Sequence, residues 1–307
     1  MRAAALNARD FMVIAHDPIY PGEHVQDLVP CADGAGEIEK VGEESKWKVG
    51  DNVIIHPNAW MEDTGEVLLV SEIKTAGAAS DQGTLRQYAI WEDEKLVRAP
   101  AHLTFEELAA LPACGSTAMN ALFYGPQELK PGMTVLSQGT GGVSCFAIQL
   151  ASAAGATVIA TSSSDAKLAQ ARGIGATHLI NYNSHPNWEE EVLRLTNGRG
   201  VDNVIEIGGA ATVEQSVKCT KQGGLVSLVG FLSDSKKSDL VPALIFGAKT
   251  VRGVFNWSKP MIEAMAEFVE KHKIHPVVAE AFEWEDAKAA FEMLNKQSAV
   301  GKIVIKI

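Results

Sequence analysis

The sequence predicts an α/β protein in which a β-rich opening part precedes a doubly wound parallel sheet. Three observations carry this reading. Thr134-Val135-Leu136-Ser137-Gln138 is a strand-like run that feeds through Gly139-Thr140-Gly141-Gly142-Val143-Ser144 into the helix-forming stretch from Cys145 to Ala151. Thr157 to Thr161 is a second β-branched run directly after that helix ends at Ala154-Gly155, completing a strand–helix–strand unit of ordinary size. Strand-like and helix-like runs then keep alternating as far as Phe255, whereas residues 1–104 are short β-like runs broken by glycine and proline.

The glycine turn is where chemistry is expected. Gly139 supplies backbone freedom for a tight turn, Gly141 has no Cβ to hold a pyrophosphate away, and Gly142-Val143 open a helix whose N–H groups and dipole favour an anion. Thr140 lies within the same turn. The third glycine of the dinucleotide fingerprint is replaced by Ser144, a small residue that still permits close packing of helix on strand. The predicted cofactor is therefore a dinucleotide.

Composition narrows the function classes. The 307 residues suit two domains, and the net charge of −11 argues against general nucleic-acid or anionic-membrane binding. Cys31, Cys114, Cys145 and Cys219 are dispersed and form no C-x-x-C pair, which argues against a disulfide framework or a cysteine-rich zinc site. No apolar run approaches about 20 residues and no secretory pattern opens the chain, so a soluble, cytoplasmic protein is expected.

In chain order, strands are predicted within Asp33–Gly42, Val49–Ile55 and Gly83–Trp91, as for a small β-barrel, with a long surface loop from Asn58 to Asp81. Helices follow at Leu103–Leu111, with Thr104 as N-cap, and at Ser116–Tyr124. Next come the strand at Thr134, its helix, and strands at 157–161, 178–180, 201–206, 225–230 and 250–255, with helices at 188–196 and 212–220. A helix at Pro260–His272, another at Trp284–Asn295 and a final strand at Gly301–Ile307 close the chain, and that last strand is expected to rejoin the first domain.

Leu6-Asn7-Ala8-Arg9-Asp10, Val29 to Gly36, Val49-Gly50-Asp51-Asn52-Val53, Leu111-Pro112 with Thr117 to Leu122, Gly139 to Val143 and Gly301-Lys302 together resemble the medium-chain dehydrogenase/reductase family. The likeness is to its zinc-free, quinone-oxidoreductase-like members, often labelled zinc-type alcohol dehydrogenases. It implies a GroES-like catalytic domain (1–104 and 266–307) around a Rossmann NADP-binding domain (105–265), with the active site in the cleft between. Zinc-dependent relatives carry a cysteine near the Leu-Asn segment and a histidine–glutamate pair in the following glycine region. Arg9-Asp10 and Ala32-Asp33 stand there instead, and Cys114 is one position from the family's cysteine after Leu-Pro, so no metal is expected. Relatives also have several tens of residues before the Leu-Asn segment, which implies that the opening strands of the catalytic domain are missing.

Cofactor choice and chemistry follow. A site for NAD usually ends its second strand with an acid that accepts from the ribose 2′-OH, whereas here Ser162-Ser163-Ser164 offers hydroxyls and Lys167 a positive charge. In similar reductases the tyrosine matching Tyr182 reaches the adenosine phosphate, which favours NADP(H). A serine-capped helix with a solvated lysine is the alternative reading of the same residues. Thr117 matches the threonine near the nicotinamide ribose, and Gly230 completes the cofactor-binding set. Without zinc to polarise a carbonyl, the acceptor must already be activated, as in a quinone or an α,β-unsaturated carbonyl.

Asn7 and Asp10 match polar positions lining the nicotinamide end in similar reductases. The tyrosine some relatives place nearby is Met12 here, leaving His16, Tyr20 or solvent as proton donors. Trp60, Met61 and Trp257 are candidate pocket residues. The alternatives are a non-catalytic NADPH-binding protein, or alcohol-dehydrogenase-like activity on another small carbonyl. Thr250 to Phe255, last of the alternating strands, should lie at a sheet edge beside apolar Val241 to Phe246 and pair with its mate in a homodimer.

Overall fold

A computed structural model describes all residues except 19, 21, 22, 63–74 and 234–236. The chain opens with β1 (Ala3–Leu6), α1 (Ala8–Ile14), β2 (Asp33–Glu37), β3 (Asn52–Ile55), β4 (Leu96–Arg98), α2 (Phe105–Ala110) and α3 (Pro112–Phe123). It continues through β5 (Thr134–Gln138), α4 (Gly142–Ala153), β6 (Thr157–Ser162), α5 (Asp165–Gly173), β7 (His178–Asn181), α6 (Trp188–Leu195) and β8 (Val201–Glu206). Then come α7 (Val213–Cys219), β9 (Thr220–Leu228), α8 (Val241–Gly247) and β10 (Thr250–Gly253). The last elements are α9 (Lys259–His272), β11 (Val278–Phe282), α10 (Ala287–Asn295) and β12 (Lys302–Lys306).

These divide into two compact units, Met1–Ser116 with Asn256–Ile307, and Thr117–Phe255. The divisions fall at 116/117 and 255/256, where the sequence reading put them at 104/105 and 265/266. Helix α2 packs on β1, β2 and β12, and α9 on β4, so both helices group with the strands they cover.

In the second unit six strands run in the order β10-β9-β8-β5-β6-β7, every pair parallel. Helices on both faces explain why β5, β6 and β8 are buried along nearly their whole length rather than at alternate residues. Leu136, Ile159, Ile180, Val204 and Val226 form one buried cluster with Trp188 and Val192 of α6 and Val213 and Val217 of α7. At the sheet edge, the Val254 N–H donates to the Leu228 carbonyl at 2.8 Å. Val254 is thus turned inward, and the strand's alternation directs the Gly253 N–H outward.

In the first unit the sheet order is β11-β12-β1-β2-β3-β4. Strand β12 lies antiparallel to β1, with Ala4 opposite Ile305, and β2 flanks β1 on its other side. Ala3 to Leu6 is therefore an interior strand, entirely buried, which the sequence reading did not assign. Helix α2 starts as its sequence predicts: Thr104 Oγ1 accepts from the Glu107 N–H, and Glu107 Oε2 accepts from the Thr104 N–H at 2.9 Å.

Two expectations are corrected. Gly83–Trp91 is not a strand. Its start is held by bonds from the Gly83, Thr84 and Leu85 N–H groups to Val29, Cys31 and Pro30, and Leu85 and Trp91 pack against the core while Tyr88 and Ile90 point into solvent at 72% and 98% exposure. The expected surface loop from Asn58 to Asp81 lies partly outside the described residues, at 63–74, but its beginning is interior. Asn58 is fully buried: its amide donates to the Trp257 carbonyl and accepts from the Trp60 N–H.

His56, also fully buried, has Nε2 3.1 Å from the Trp60 carbonyl. Burial, helped by the Lys95 ammonium, lowers its pKa from 6.5 to about 3. A depressed histidine stabilises the fold above its unfolded pKa and ceases to as pH falls. Unfolding free energy is therefore expected to drop by about 1.4 kcal/mol per pH unit between about 6.5 and 3 from this group. His56→Gln should flatten that slope in urea titrations run at several pH values.

Candidate active site

The glycine turn sits at the carboxyl end of β5. Gly139 adopts φ +71°, a backbone conformation in which a side chain would be strained, and a Cβ there would lie 2.9 Å from Ile207 Cδ1. Gly141 is the extended N-cap of α4 with no side-chain cap, and nothing lies within 4 Å of where its Cβ would be. That open space faces the first N–H groups of a 12-residue helix beginning at Gly142 and Val143, the setting a pyrophosphate requires. Ser144 does more than stay small: its hydroxyl donates to the Gln138 carbonyl at 2.6 Å, tying the helix start to the strand end. Thr140 is buried within the turn.

The carboxyl ends of β6 and β7 bring three of the expected residues together. Ser162 ends β6, and its carbonyl accepts from the Tyr182 N–H at 3.1 Å, leaving the Tyr182 side chain 40% exposed. The Ser163 carbonyl accepts from the Asn183 amide at 2.9 Å. Lys167 stands half-buried in the first turn of α5, two residues after Asp165, whose carboxylate is engaged by the Asn181 amide at 2.8 Å. Gly230 follows β9, where a Cβ would lie 2.8 Å from the Ile207 carbonyl oxygen. Thr117 is half-buried on α3.

In the first unit the expected Asn7 and Asp10 belong to a buried polar cluster centred on Lys302 and Asp33, which the sequence reading did not single out as site residues. Lys302 Nζ donates to Asp33 Oδ2 at 3.1 Å, Asn7 Oδ1 at 2.6 Å and the Leu6 carbonyl at 2.7 Å. Asp33 also accepts from the Asn7 amide at 3.0 Å and the Ala113 N–H at 2.9 Å. Both ends of the Asn7 amide are thus oriented by one ion pair. Asp10 caps α1 by accepting from the Asn7 N–H at 2.8 Å and lies 3.5 Å from Arg9. Its pKa is raised by burial, which outweighs the pull of the Arg9 guanidinium.

Cys114 lies beside the cluster, Sγ 3.6 Å from Asn7 Oδ1, and burial raises its pKa. Of the other proton-donor candidates, Tyr20 stacks under the Arg9 guanidinium at 5.1 Å, and His16 is exposed at φ +51°. Trp60 and Trp257 are buried, and Met61 is half-buried. Among the described residues no group of three or more His, Cys, Asp or Glu side chains could hold a metal ion. Asp33 is already committed to an ammonium and two N–H donors, so its donor set does not fit zinc. No helix of the described residues is long and apolar enough to cross a membrane.

A parallel sheet in the order 3-2-1-4-5-6 with a glycine turn after its first strand is the arrangement of a dinucleotide-binding unit, here with a mixed β unit built from both ends of the chain. Residues 1–101 match the alcohol dehydrogenase GroES-like domain and residues 142–271 the zinc-binding dehydrogenase domain. A zinc-type alcohol dehydrogenase-like protein of Schizosaccharomyces pombe is 39% identical over all of this chain and 89% of its own. The crotonyl-CoA carboxylase/reductase of Cereibacter sphaeroides is 28% identical over 99% of this chain and 79% of its own. A crystal structure of an NAD-dependent alcohol dehydrogenase superposes with TM-score 0.89 at 31% identity, covering 100% of this chain and 90% of that one. The chain belongs to the medium-chain dehydrogenase/reductase family and is an oxidoreductase with a nicotinamide-cofactor fold.

Proposed function

We propose that this chain is an NADPH-dependent reductase of quinones or α,β-unsaturated carbonyls that uses no catalytic zinc. The carrying observation is the Lys302–Asp33 pair: a buried ammonium neutralises the carboxylate at the place where zinc-dependent relatives hold metal ligands. An acceptor whose charge delocalises onto its own oxygen needs no Lewis acid. The enoyl-reducing class is supported by the likeness to crotonyl-CoA carboxylase/reductase.

When bound, NADPH supplies the reducing equivalent. Gly139, Thr140, Gly141, Gly142 and Val143 would cradle its pyrophosphate. Ser162, Ser163, Lys167 and Tyr182 would meet the 2′-phosphate, and Thr117 and Gly230 the nicotinamide half. Asn7, fixed by Lys302 and Asp33, would orient the acceptor oxygen through its amide, while Asp10 holds the start of α1. Solvent remains the proton source most consistent with the engaged Asp10 and Tyr20.

Ser162→Asp is expected to move preference towards NADH, because a carboxylate accepts from a ribose hydroxyl and repels a phosphate. Paired NADPH and NADH fluorescence titrations test it, and an unchanged ratio contradicts the assignment. Turnover is tested by NADPH consumption with a quinone and with an enone.

The proposed assembly is a homodimer through the β10 edge. Val241, Ile245 and Phe246 of α8 are 62%, 67% and 84% exposed beside that edge, an apolar surface that a partner would cover. Phe246→Glu should weaken association, and light scattering of the unmodified protein should give twice the 32.8 kDa chain mass. Val254→Pro is not a clean probe, since its N–H serves the chain's own ladder; Gly253→Pro removes an outward donor instead.

A further inference from the structure

Strands β5 and β8 are neighbours at the centre of the parallel sheet. The chain leaves β5 towards β6 on one side and β8 towards β9 on the other, so their carboxyl ends bound the crevice at which such sheets take a ligand. Each ends on a buried polar residue, Gln138 on β5 and Glu206 on β8. Glu206 is fully buried, yet the donors bonded to it are all neutral. Oε1 accepts from the Gly208 N–H at 2.8 Å, the Gly209 N–H at 3.0 Å and the Thr212 hydroxyl at 2.6 Å. Oε2 accepts from the Gln138 amide at 2.7 Å and from the Ser216 hydroxyl.

Backbone N–H groups orient both the Gln138 amide and Glu206 Oε1. Gln138 Oε1 accepts from the Ile207 and Gly208 N–H groups at 3.2 and 3.4 Å, so its NH₂ must face Glu206. Backbone donors fix the other side as well. A side chain with two acceptors and no donor is required, which a carboxylate supplies and an amide does not. The charge on Glu206 also strengthens each contact.

Between the pinned ends lies Ile207. Its Cδ1 lies 2.9 Å from where a Cβ on Gly139 would be, and its carbonyl oxygen 2.8 Å from where one on Gly230 would be. The turn that Glu206 holds is therefore the turn that packs against both glycines on the cofactor side.

We propose that Glu206 is a positioning residue of the cofactor crevice, which locks the 207–209 turn to the end of β5 and thereby sets the spacing between Gly139 and Gly230. This rests on the dinucleotide reading of that crevice under the proposed function. Glu206 need not touch the cofactor. Its effect should thus fall equally on NADPH and NADH, unlike that of a residue meeting the 2′-phosphate.

The test is Glu206→Gln, with NADPH and NADH affinities read by fluorescence well below the melting temperature of each protein. Loss of a charge-assisted partner predicts dissociation constants raised about tenfold for both cofactors, with their ratio unchanged. In turnover, KM for the cofactor should rise while kcat at saturation holds. Thr212→Val, which removes one donor and keeps the carboxylate, should show the same pattern at about threefold and decides the matter if Glu206→Gln does not fold. A folded Glu206→Gln, or failing that Thr212→Val, with unmodified affinity for both cofactors would overturn the proposal. If the unmodified protein binds neither cofactor, the dinucleotide reading itself fails and takes this inference with it.

Discussion

Lys302→Met is expected to lower the unfolding free energy by about 3–5 kcal/mol at pH 7, the cost of leaving one member of a buried ion pair uncompensated. Methionine keeps the apolar stem, so the loss reports the ammonium. Asp33, fully buried, would retain the Asn7 and Ala113 donors but no countercharge, and the Leu6 carbonyl and Asn7 Oδ1 would each lose a donor. Burial pulls the Lys302 pKa down, but Cys114 and Asp33 outweigh it and raise the value. The Lys302 contribution is therefore complete at neutral pH and is lost as pH rises through that raised pKa. Adding Asp33→Asn should recover much of the loss. Urea midpoints decide it: a change below about 1 kcal/mol would mean that the pair behaves as an exposed salt bridge.

Lys167→Ala should weaken NADPH by about 1.5–3 kcal/mol, roughly 10- to 150-fold, and leave NADH nearly unchanged. Only the 2′-phosphate carries the additional charge that this ammonium would meet. Two features of the strand end favour the effect. Ser162 stands where an acid would repel phosphate, and the one carboxylate close in sequence, Asp165, is occupied by the Asn181 amide. Equal losses for both cofactors, measured by fluorescence titration, would remove Lys167 from the 2′-phosphate site.

The second unit was the more legible half of the chain. Its central parallel strands β5 and β6 are buried and rich in β-branched and apolar residues, and Gly139, with its left-handed backbone, is a residue whose type follows from its geometry. The first unit was harder because its strands are short and its pairing is distant. Ala3 to Leu6 has no alternation, and it is a strand only because β12, almost the whole chain away, lies against it. Gly83–Trp91 alternates convincingly yet pairs with no neighbouring strand, and Tyr88 and Ile90 turn to solvent.

The site residues divide in the same way. Gly139 to Val143 and Ser162 to Tyr182 are local, each cluster drawn from one or two strand ends. Lys302 and Asp33 are 269 residues apart, so each motif was visible while their pairing was not. Glu206 had a local signal, a charge closing a fully buried strand, though its donors come from three further segments.

The central claim is zinc-independent reduction of an activated acceptor by NADPH. The most direct measurement is NADPH oxidation by chelator-washed protein of known metal content, with a quinone, an enone and an enoyl thioester as acceptors and NADH in parallel. The account predicts turnover of at least one acceptor, faster with NADPH than with NADH, at substoichiometric zinc and without gain on adding zinc. Turnover only after zinc is restored, or none with any activated acceptor while NADPH still binds, would contradict it.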